Sequence, residues 1–351
     1  MIRWIIGRVA CCVFRVTWGD AAVTDARGVS VRAARRTSRE LYRLFGRLGT
    51  REHPRGRVLG AYRNAHRGLR DVFRRGGPLM RFEVEEVLAG LRREVTLVAV
   101  ETLGQAAELG QVQARAELGA RGIEVGAGSL PPDLTAALGA WLGEVDRQVA
   151  MVRGVVATGG GVALVIGDEA RGGVLQPGMV VREGARWLTT VAMGAWWDVV
   201  QAAPVVGFEW MKQAVAAIDE RTTDCCLRVH GQVVPLDERF TLTGTPRYAD
   251  RLEWSPFHWY CRTSVTLVTA EDADDELTDR MRAAAAAELA RRAALQAQID
   301  AVKAELVGLG EVPDIRHRAG DSEEVQGLRD ELRGLYEELR GEIHPASGVG
   351  G

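Results

Sequence analysis

Apolar residues recur every three or four positions over much of this 351-residue chain, a spacing that gathers side chains on one face of an α-helix. The longest pattern predicts a helix over residues 81–118, and a second covers residues 132–156. The stripe of the first helix consists of Val84, Leu88, Leu91, Val95, Val98, Thr102, Ala106 and Leu109. We therefore expect residues 79–157 to form an antiparallel helical domain.

Two more helices are predicted near the C-terminus, over residues 271–306 and 321–343, with a turn containing glycine and proline between them. The second has an apolar stripe with a 3-4-3-4 rhythm, formed by Val325, Leu328, Leu332, Leu335 and Leu339. Asp321 and Glu324 are suited to cap its N-terminus. This pattern predicts a helical hairpin or short coiled coil over residues 271–344.

The middle of the chain has a different pattern. Residues 158–206 begin as a glycine-rich connection, for which a hairpin or flexible link is the preferred interpretation, and continue as a Trp-rich helix. Strand-like apolar runs at 210–218 and 264–268 then flank three cysteines and two histidines, so residues 207–270 predict a small mixed module. The expected fold class is mainly α with a small α+β module. The final residues, 345–351, have the composition of a disordered tail.

Charge is distributed unevenly along the chain, although the net charge is only −2. Between Met1 and Phe82 there are 19 Arg, no Lys and 5 acidic residues, a local charge of +14, so the remainder carries −16. Residues 1–78 therefore predict a basic, partly helical arm. Its arginines are either a solvated helix face or a surface that meets phosphates or an acidic partner.

Several functional classes lack their sequence signals. The glycine-rich run at 159–161 is not followed by the lysine that a phosphate-binding loop of the Walker type requires. The apolar opening of the chain is interrupted by Arg3, Arg8 and Arg15, so we expect neither a signal peptide nor a membrane span. Five cysteines, an odd number, favour a reducing compartment over a secreted disulfide framework.

The mixed module contains a distinctive order of residues, D-x-R-T-x-x-x-C-x-x-x-x-G followed by P-x-H-x-x-C-R. The pattern is carried by Asp219, Arg221, Thr222, Cys226, Gly231, Pro256, His258, Cys261 and Arg262. It resembles the C-terminal module of phage minor head proteins, the Mu F-like head morphogenesis family, over about sixty residues. The chain departs from the family at Trp259, where a proline is common, at Thr263, where a further cysteine often follows, and at His230, a place that is usually acidic.

The resemblance implies a phage virion component, a minor capsid protein present in few copies near the portal that assists head assembly and DNA packaging or delivery. The implied partners are the portal protein, the major capsid or scaffold protein, and packaged DNA held by the Arg-rich N-terminal arm. The implied location is the virion, with the host cytoplasm during assembly.

The cysteines and histidines of the module predict a structural zinc site, because zinc selects thiolates and imidazoles in a tetrahedron. His258 and Cys261 have close ligand spacing, and the resemblance supplies Cys226 as a third ligand. His230 is our choice for the fourth, with Asp219 and Cys225 as alternatives. A disulfide between Cys226 and Cys261, or buried reduced thiols beside a hydrogen-bonded His258, would account for the same residues.

An enzyme is the alternative functional class, either a metal- or thiol-dependent hydrolase or a toxin-like transferase. Cys226, His258 and Asp219 can be drawn as a nucleophile, a base and an orienting group. The chain lacks an H-E-x-x-H motif, and we assign no catalytic residue. We therefore expect a protein that is not an enzyme.

Overall fold

The computed structural model describes residues 26–45, 53–125, 134–167, 173–203, 209–219, 222–241, 251–252, 254–258, 261–318 and 320–340. The helices are α1 (Ala26–Phe45), α2 (Pro54–Arg75), α3 (Met80–Gly119), α4 (Thr135–Ala157), α5 (Val162–Ile166), α6 (Pro177–Ala202), α7 (Asp224–Val229), α8 (Glu276–Gly308) and α9 (Glu323–Arg340). The strands are β1 (Trp210–Ala216), β2 (Val233–Pro235), β3 (Phe240–Thr241), β4 (Arg251–Leu252) and β5 (Thr263–Thr269). The expected fold class, mainly α with a small α+β module, is confirmed.

The sheet is small and antiparallel. Its strand order is β2-β1-β5, and β3 and β4 form a separate two-stranded ladder. The register pairs Trp210 with Thr269 at one end and Ala216 with Thr263 at the other. The end of β1 therefore lies beside the start of β5, although 46 residues separate Ala216 from Thr263 in the sequence.

Helix α3 is the centre of the helical part, and it packs against α1, α2, α4 and α6. Its closest approach is to α6, where a Cβ added at Gly110 would lie only 1.9 Å from the backbone oxygen of Ala192. Glycine is required here because any side chain would push the two helices apart. This contact explains how a 40-residue helix, α3, can pack directly on the Trp-rich helix.

A single buried cluster crosses several of the predicted segment boundaries. It runs from Leu41 in α1, through α2, α3, α4 and α6, to Leu267 in β5. Val58, Tyr62 and Leu69 of α2 are fully part of it, so the described portion of segment 1–78 is packed into the core and does not extend as an arm. Residues 1–25 and 46–52 of that segment, and residues 345–351, lie outside the described part. The glycine-rich connection also differs from expectation, since Val162–Ile166 is a short helix.

The outer edge of β5 is covered by side chains of α3 and by Arg121 just after it, rather than by another strand. Glu117 accepts a hydrogen bond from Leu267 N at 2.9 Å, Gln113 Nε2 donates to Val265 O at 2.6 Å, and Arg121 donates to Leu267 O at 3.1 Å. Positions four apart on a helix are about 6 Å apart along its axis, close to the roughly 6.7 Å between alternate strand residues. The helix therefore satisfies the strand edge as a neighbouring strand would.

Glu117 is fully buried and gathers donors from three elements. Besides Leu267 N, its carboxylate accepts from Trp196 Nε1 of α6 at 2.9 Å and Thr266 Oγ1 of β5 at 2.9 Å. Gln113 Nε2 donates to it at 2.7 Å within α3. Burial raises the pKa of Glu117 to about 7, although these hydrogen bonds oppose the shift.

The C-terminal hairpin is present and has its own small core. Ile299, Val302 and Leu306 of α8 pack against the predicted stripe of α9. The turn is organised by Arg329, which is completely buried and pairs with Glu311, Asp314 and Asp321 at 2.9, 2.6 and 3.0 Å. The cap differs from expectation: Ser322 Oγ accepts from Val325 N, whereas Asp321 is committed to Arg329.

No described helix has both the length and the apolar character that crossing a bilayer requires.

Glu117 should make stability fall as pH rises. Its folded pKa of about 7 exceeds the ordinary carboxyl value of 4.5, so the folded state keeps a proton that the unfolded chain releases. The contribution is fully present below about pH 4.5 and is lost as pH rises through about 7. Relative to Glu117→Gln, which is neutral throughout, the wild type should lose about 3 kcal/mol of unfolding free energy over this window.

Urea denaturation of both proteins from pH 4.5 to pH 8 measures this difference. Groups common to both proteins cancel in the comparison. A constant difference between wild type and Glu117→Gln across the window would contradict the raised pKa of Glu117.

Candidate metal centre

The antiparallel pairing of β1 with β5 brings the two halves of the Cys/His pattern together. The turn after β1 leads into α7, whose first turn carries Cys225 and Cys226. His258 and Cys261 lie just before β5, and Cys261 N donates to His258 O at 3.2 Å, closing a tight turn between them. Because β1 and β5 are in register at this end, α7 and the His258 turn meet.

Three cysteines and one histidine form the cluster. Cys226 Sγ lies 3.0 Å from His258 Nε2 and 3.7 Å from Cys261 Sγ. Thr223 Oγ1 lies 2.7 Å from His258 Nε2 and 3.1 Å from Cys225 Sγ. The ligand atoms of Cys225, Cys226 and His258 all lie within 4.8 Å of one another, so this group can hold a metal ion.

The sulfur spacing fits a shared metal ion better than a disulfide. Metal–sulfur bonds of about 2.3 Å in a tetrahedron place two sulfurs about 3.8 Å apart. The 3.7 Å between Cys226 and Cys261 matches this value, whereas a disulfide requires about 2.05 Å. Cys225, Cys226 and Cys261 are all free, and all three are buried.

His230 is not among the clustered ligands, in contrast to our expectation. Its Nδ1 accepts a hydrogen bond from Ala216 N at 2.8 Å, so the imidazole faces the end of β1. Burial, with a smaller contribution from Arg35, lowers the pKa of His230 to about 4, so the ring is neutral. Cys225, which we had weighed as an alternative fourth ligand, lies instead in the group with Cys226 and His258, and Cys261 joins this group through its contact with Cys226. Cys225 and Cys226 are adjacent on α7, where successive side chains point about 100° apart, and both sulfurs lie within 4.8 Å of His258.

The surroundings shift the pKa values of the three thiols in different directions. Burial raises the pKa of Cys226, whereas its hydrogen bond to Cys225 lowers the pKa of Cys225 to about 6. Burial also opposes ionisation of Cys261, but the hydrogen bond with Cys226 and the nearby His258 lower its pKa well below the usual thiol value. Thiolates are the form that binds metal ions, so Cys225 and Cys261 are prepared as ligands.

Asp219 forms a salt bridge with Arg262 beside the Cys/His cluster and is not a member of the cluster. Arg262 donates through two nitrogens to its two carboxylate oxygens, the Nη1 bond being 2.5 Å long, and Arg262 Nη2 also donates to Thr222 Oγ1 at 3.0 Å. The guanidinium also lies 5.0 Å from the ring centroid of Tyr42 in α1. This bidentate pair joins the two halves of the pattern a second time. Arg221, which belongs to the same pattern, lies outside the described residues.

The alternative set of nucleophile, base and orienting group is only partly assembled. Cys226 and His258 are in contact, but the Asp219 carboxylate is held by Arg262 and Thr222. A nucleophilic cysteine needs a lowered pKa, and burial shifts that of Cys226 upward.

Comparison of the chain with protein-family models, curated proteins and solved structures gave no match.

The Asp219–Arg262 salt bridge predicts that replacing Arg262 destabilises the protein more than replacing the exposed Arg43 does. Arg262→Met keeps the side-chain length but leaves Asp219 without its bidentate partner, and we expect it to cost about 1–3 kcal/mol of unfolding free energy. Arg43→Met removes the exposed pair with Glu40 on α1 and should cost less than about 1 kcal/mol. Urea denaturation at neutral pH compares them. Equal losses of unfolding free energy in the two variants would show that the Asp219–Arg262 pair does not stabilise the module.

Proposed function

We propose that this chain is a phage minor head protein, a virion component that acts near the portal in head assembly and in DNA packaging or delivery. The observation that carries the proposal is the meeting of the two halves of the Mu F-like pattern. Cys226 lies 3.7 Å from Cys261, and Asp219 is bound by Arg262. The residues of the sequence pattern thus form two contacts, Cys226–Cys261 and Asp219–Arg262, between the segment after β1 and the segment before β5.

We propose zinc as the metal of this module and a structural role for it. Cys225, Cys226 and His258 lie within 4.8 Å of one another and Cys261 lies 3.7 Å from Cys226, so thiol and imidazole ligands of the kind that structural zinc sites use are gathered in one place. Zinc would supply a cross-link between α7 and the segment before β5, in addition to the Asp219–Arg262 pair. With Cys261 as the fourth ligand, no position would remain for a reacting water, and this would favour a structural role over hydrolysis.

Assembly is the mechanism that the rest of the molecule supports. The tip of the α8–α9 hairpin exposes four large apolar side chains, Val307, Leu309, Val312 and Ile315. Apolar side chains grouped on a surface are typical of contacts with other proteins. Portal, major capsid or scaffold subunits are the partners we propose for this tip, and packaged DNA is the partner for the arginines of α1 and α2.

A thiol-dependent hydrolase or toxin-like transferase is the second candidate, and the contact between Cys226 Sγ and His258 Nε2 is the one observation that favours it. It would require Cys226 to react with a substrate, although Cys226 is buried. Replacing Cys226 in a protein that still folds and still holds its metal would separate the two candidates.

Metal content tests the zinc site. Purified full-length protein should contain one zinc ion per chain, and Cys226→Ser or His258→Ala should weaken zinc binding more than about 100-fold, since outer-shell partners alone contribute about 10–100-fold. His230→Gln is the matched control and should leave zinc affinity unchanged. Elemental analysis and competition with a chelator measure these values. No zinc in the wild type, with Cys225, Cys226 and Cys261 all reactive toward a thiol reagent, would remove the site.

Virion content tests the proposed role. In the phage or prophage that carries this gene, mass spectrometry of purified virions should find the chain at a few copies per particle. A null mutant should give few DNA-filled heads in electron micrographs, and the wild-type gene should restore them. Normal virions that lack the chain would contradict the proposal. Loss of heads through Cys226→Ser alone, with normal folding and zinc content, would favour the enzymatic candidate.

A further inference from the structure

Helix α1 and the end of β1 enclose a cleft beside the Cys/His cluster. Its volume is about 460 Å³, within the range of about 300–1,000 Å³ that is common for ligand sites. One wall is formed by Arg35, Arg39 and Arg43, which lie four residues apart on α1. The opposite side consists of Ala216 at the end of β1, residues 217–219 that follow it, and Arg262.

The charges facing this cleft are unbalanced. Four guanidinium groups line it, and Asp219, the single acidic lining residue, is already held by Arg262. Arg43 pairs with Glu40. Within the described part of the chain, neither Arg35 nor Arg39 has an ion-pair partner. Like charges four residues apart on a helix repel each other, so this row destabilises α1 slightly unless an anion binds it.

The arrangement of donors favours phosphate over carboxylate. Each guanidinium offers a planar fork of N–H donors, and forks from several arginines exceed what a single carboxylate can accept. Successive arginines of the row are about 6 Å apart along the helix axis, so they can follow consecutive phosphates of one strand. Ala217 and Ile218 add an apolar wall against which a sugar or base can lie.

We propose that this cleft binds the phosphate groups of a single nucleic-acid strand, with Arg35 and Arg39 as the main contacts. The inference deepens the proposed function, because it states where the basic segment would hold DNA. The cleft is defined by local residues, so its test is separate from the virion experiments. A free nucleotide has the same phosphate chemistry and is distinguished below by its own binding measurement.

The test compares two double variants of the full-length protein. Arg35→Gln with Arg39→Gln removes the cleft charges, and Arg32→Gln with Arg36→Gln removes two exposed charges from the same helix outside the cleft. Fluorescence anisotropy with a labelled oligothymidylate of about ten nucleotides measures affinity. The cleft variant should bind at least about tenfold more weakly, and the control less than about threefold. The salt slope of the cleft variant should fall by about 1.4, because two phosphate contacts are lost.

Further measurements identify the ligand. Calorimetric titration with thymidine monophosphate, at the same salt concentration, tests whether a free nucleotide binds. If the nucleotide binds tightly to the wild type but not to the cleft variant, and the oligonucleotide does not bind, the phosphate site is supported and is assigned to a nucleotide. Equal losses in both double variants would show a diffuse surface effect and overturn the proposal. Binding of a polyglutamate peptide in place of either phosphate ligand would also overturn it. Circular dichroism of each variant confirms that α1 is still folded.

Discussion

The edge of β5 is the constraint on which the rest of the molecule depends. A three-stranded sheet has two open edges, and each unpaired backbone group that is buried there costs free energy unless it finds a partner. On the β5 side the partners are Gln113 and Glu117 of α3, with Arg121 just beyond the helix. The match between helical and strand spacing makes this possible. The small sheet is consequently attached to the longest helix of the protein and does not form an independent appendage.

The Cys/His cluster follows from the same attachment. Since α3 holds β5, and β5 is in register with β1, the start of one strand lies against the end of the other. That end positions Asp219 against Arg262, and α7 against the turn that contains His258 and Cys261. Helix α1 lies over the same end, where Ser38 Oγ donates to Arg262 O. The candidate metal centre and the arginine-lined cleft are therefore neighbours that share Arg262 as a wall.

Long elements could be predicted from the sequence because their periodicity is repeated many times. The pattern over 81–118 gave α3 to within one residue at each end, and the two strand-like runs matched β1 and β5 closely. Short elements such as α7 and β2 offer too few residues for any period to be detected. Glu117 was missed because a glutamate on a helix is ordinarily exposed, and only the tertiary structure supplies the donors that bury it. The fourth ligand was misplaced for a similar reason. His230 and Cys225 both lie within four residues of Cys226 in the sequence, and the directions of their side chains, which the sequence does not show, separate them.

Hydrogen exchange at the amide of Leu267 tests most directly whether α3 closes the sheet. This amide points away from β1 and donates to Glu117, so it should exchange as slowly as the amides of the β1–β5 ladder, at a rate set by unfolding of the whole core. In Glu117→Ala its protection should fall selectively while the ladder amides remain slow. Rapid exchange at Leu267 in the wild type, typical of a free sheet edge, would contradict the account.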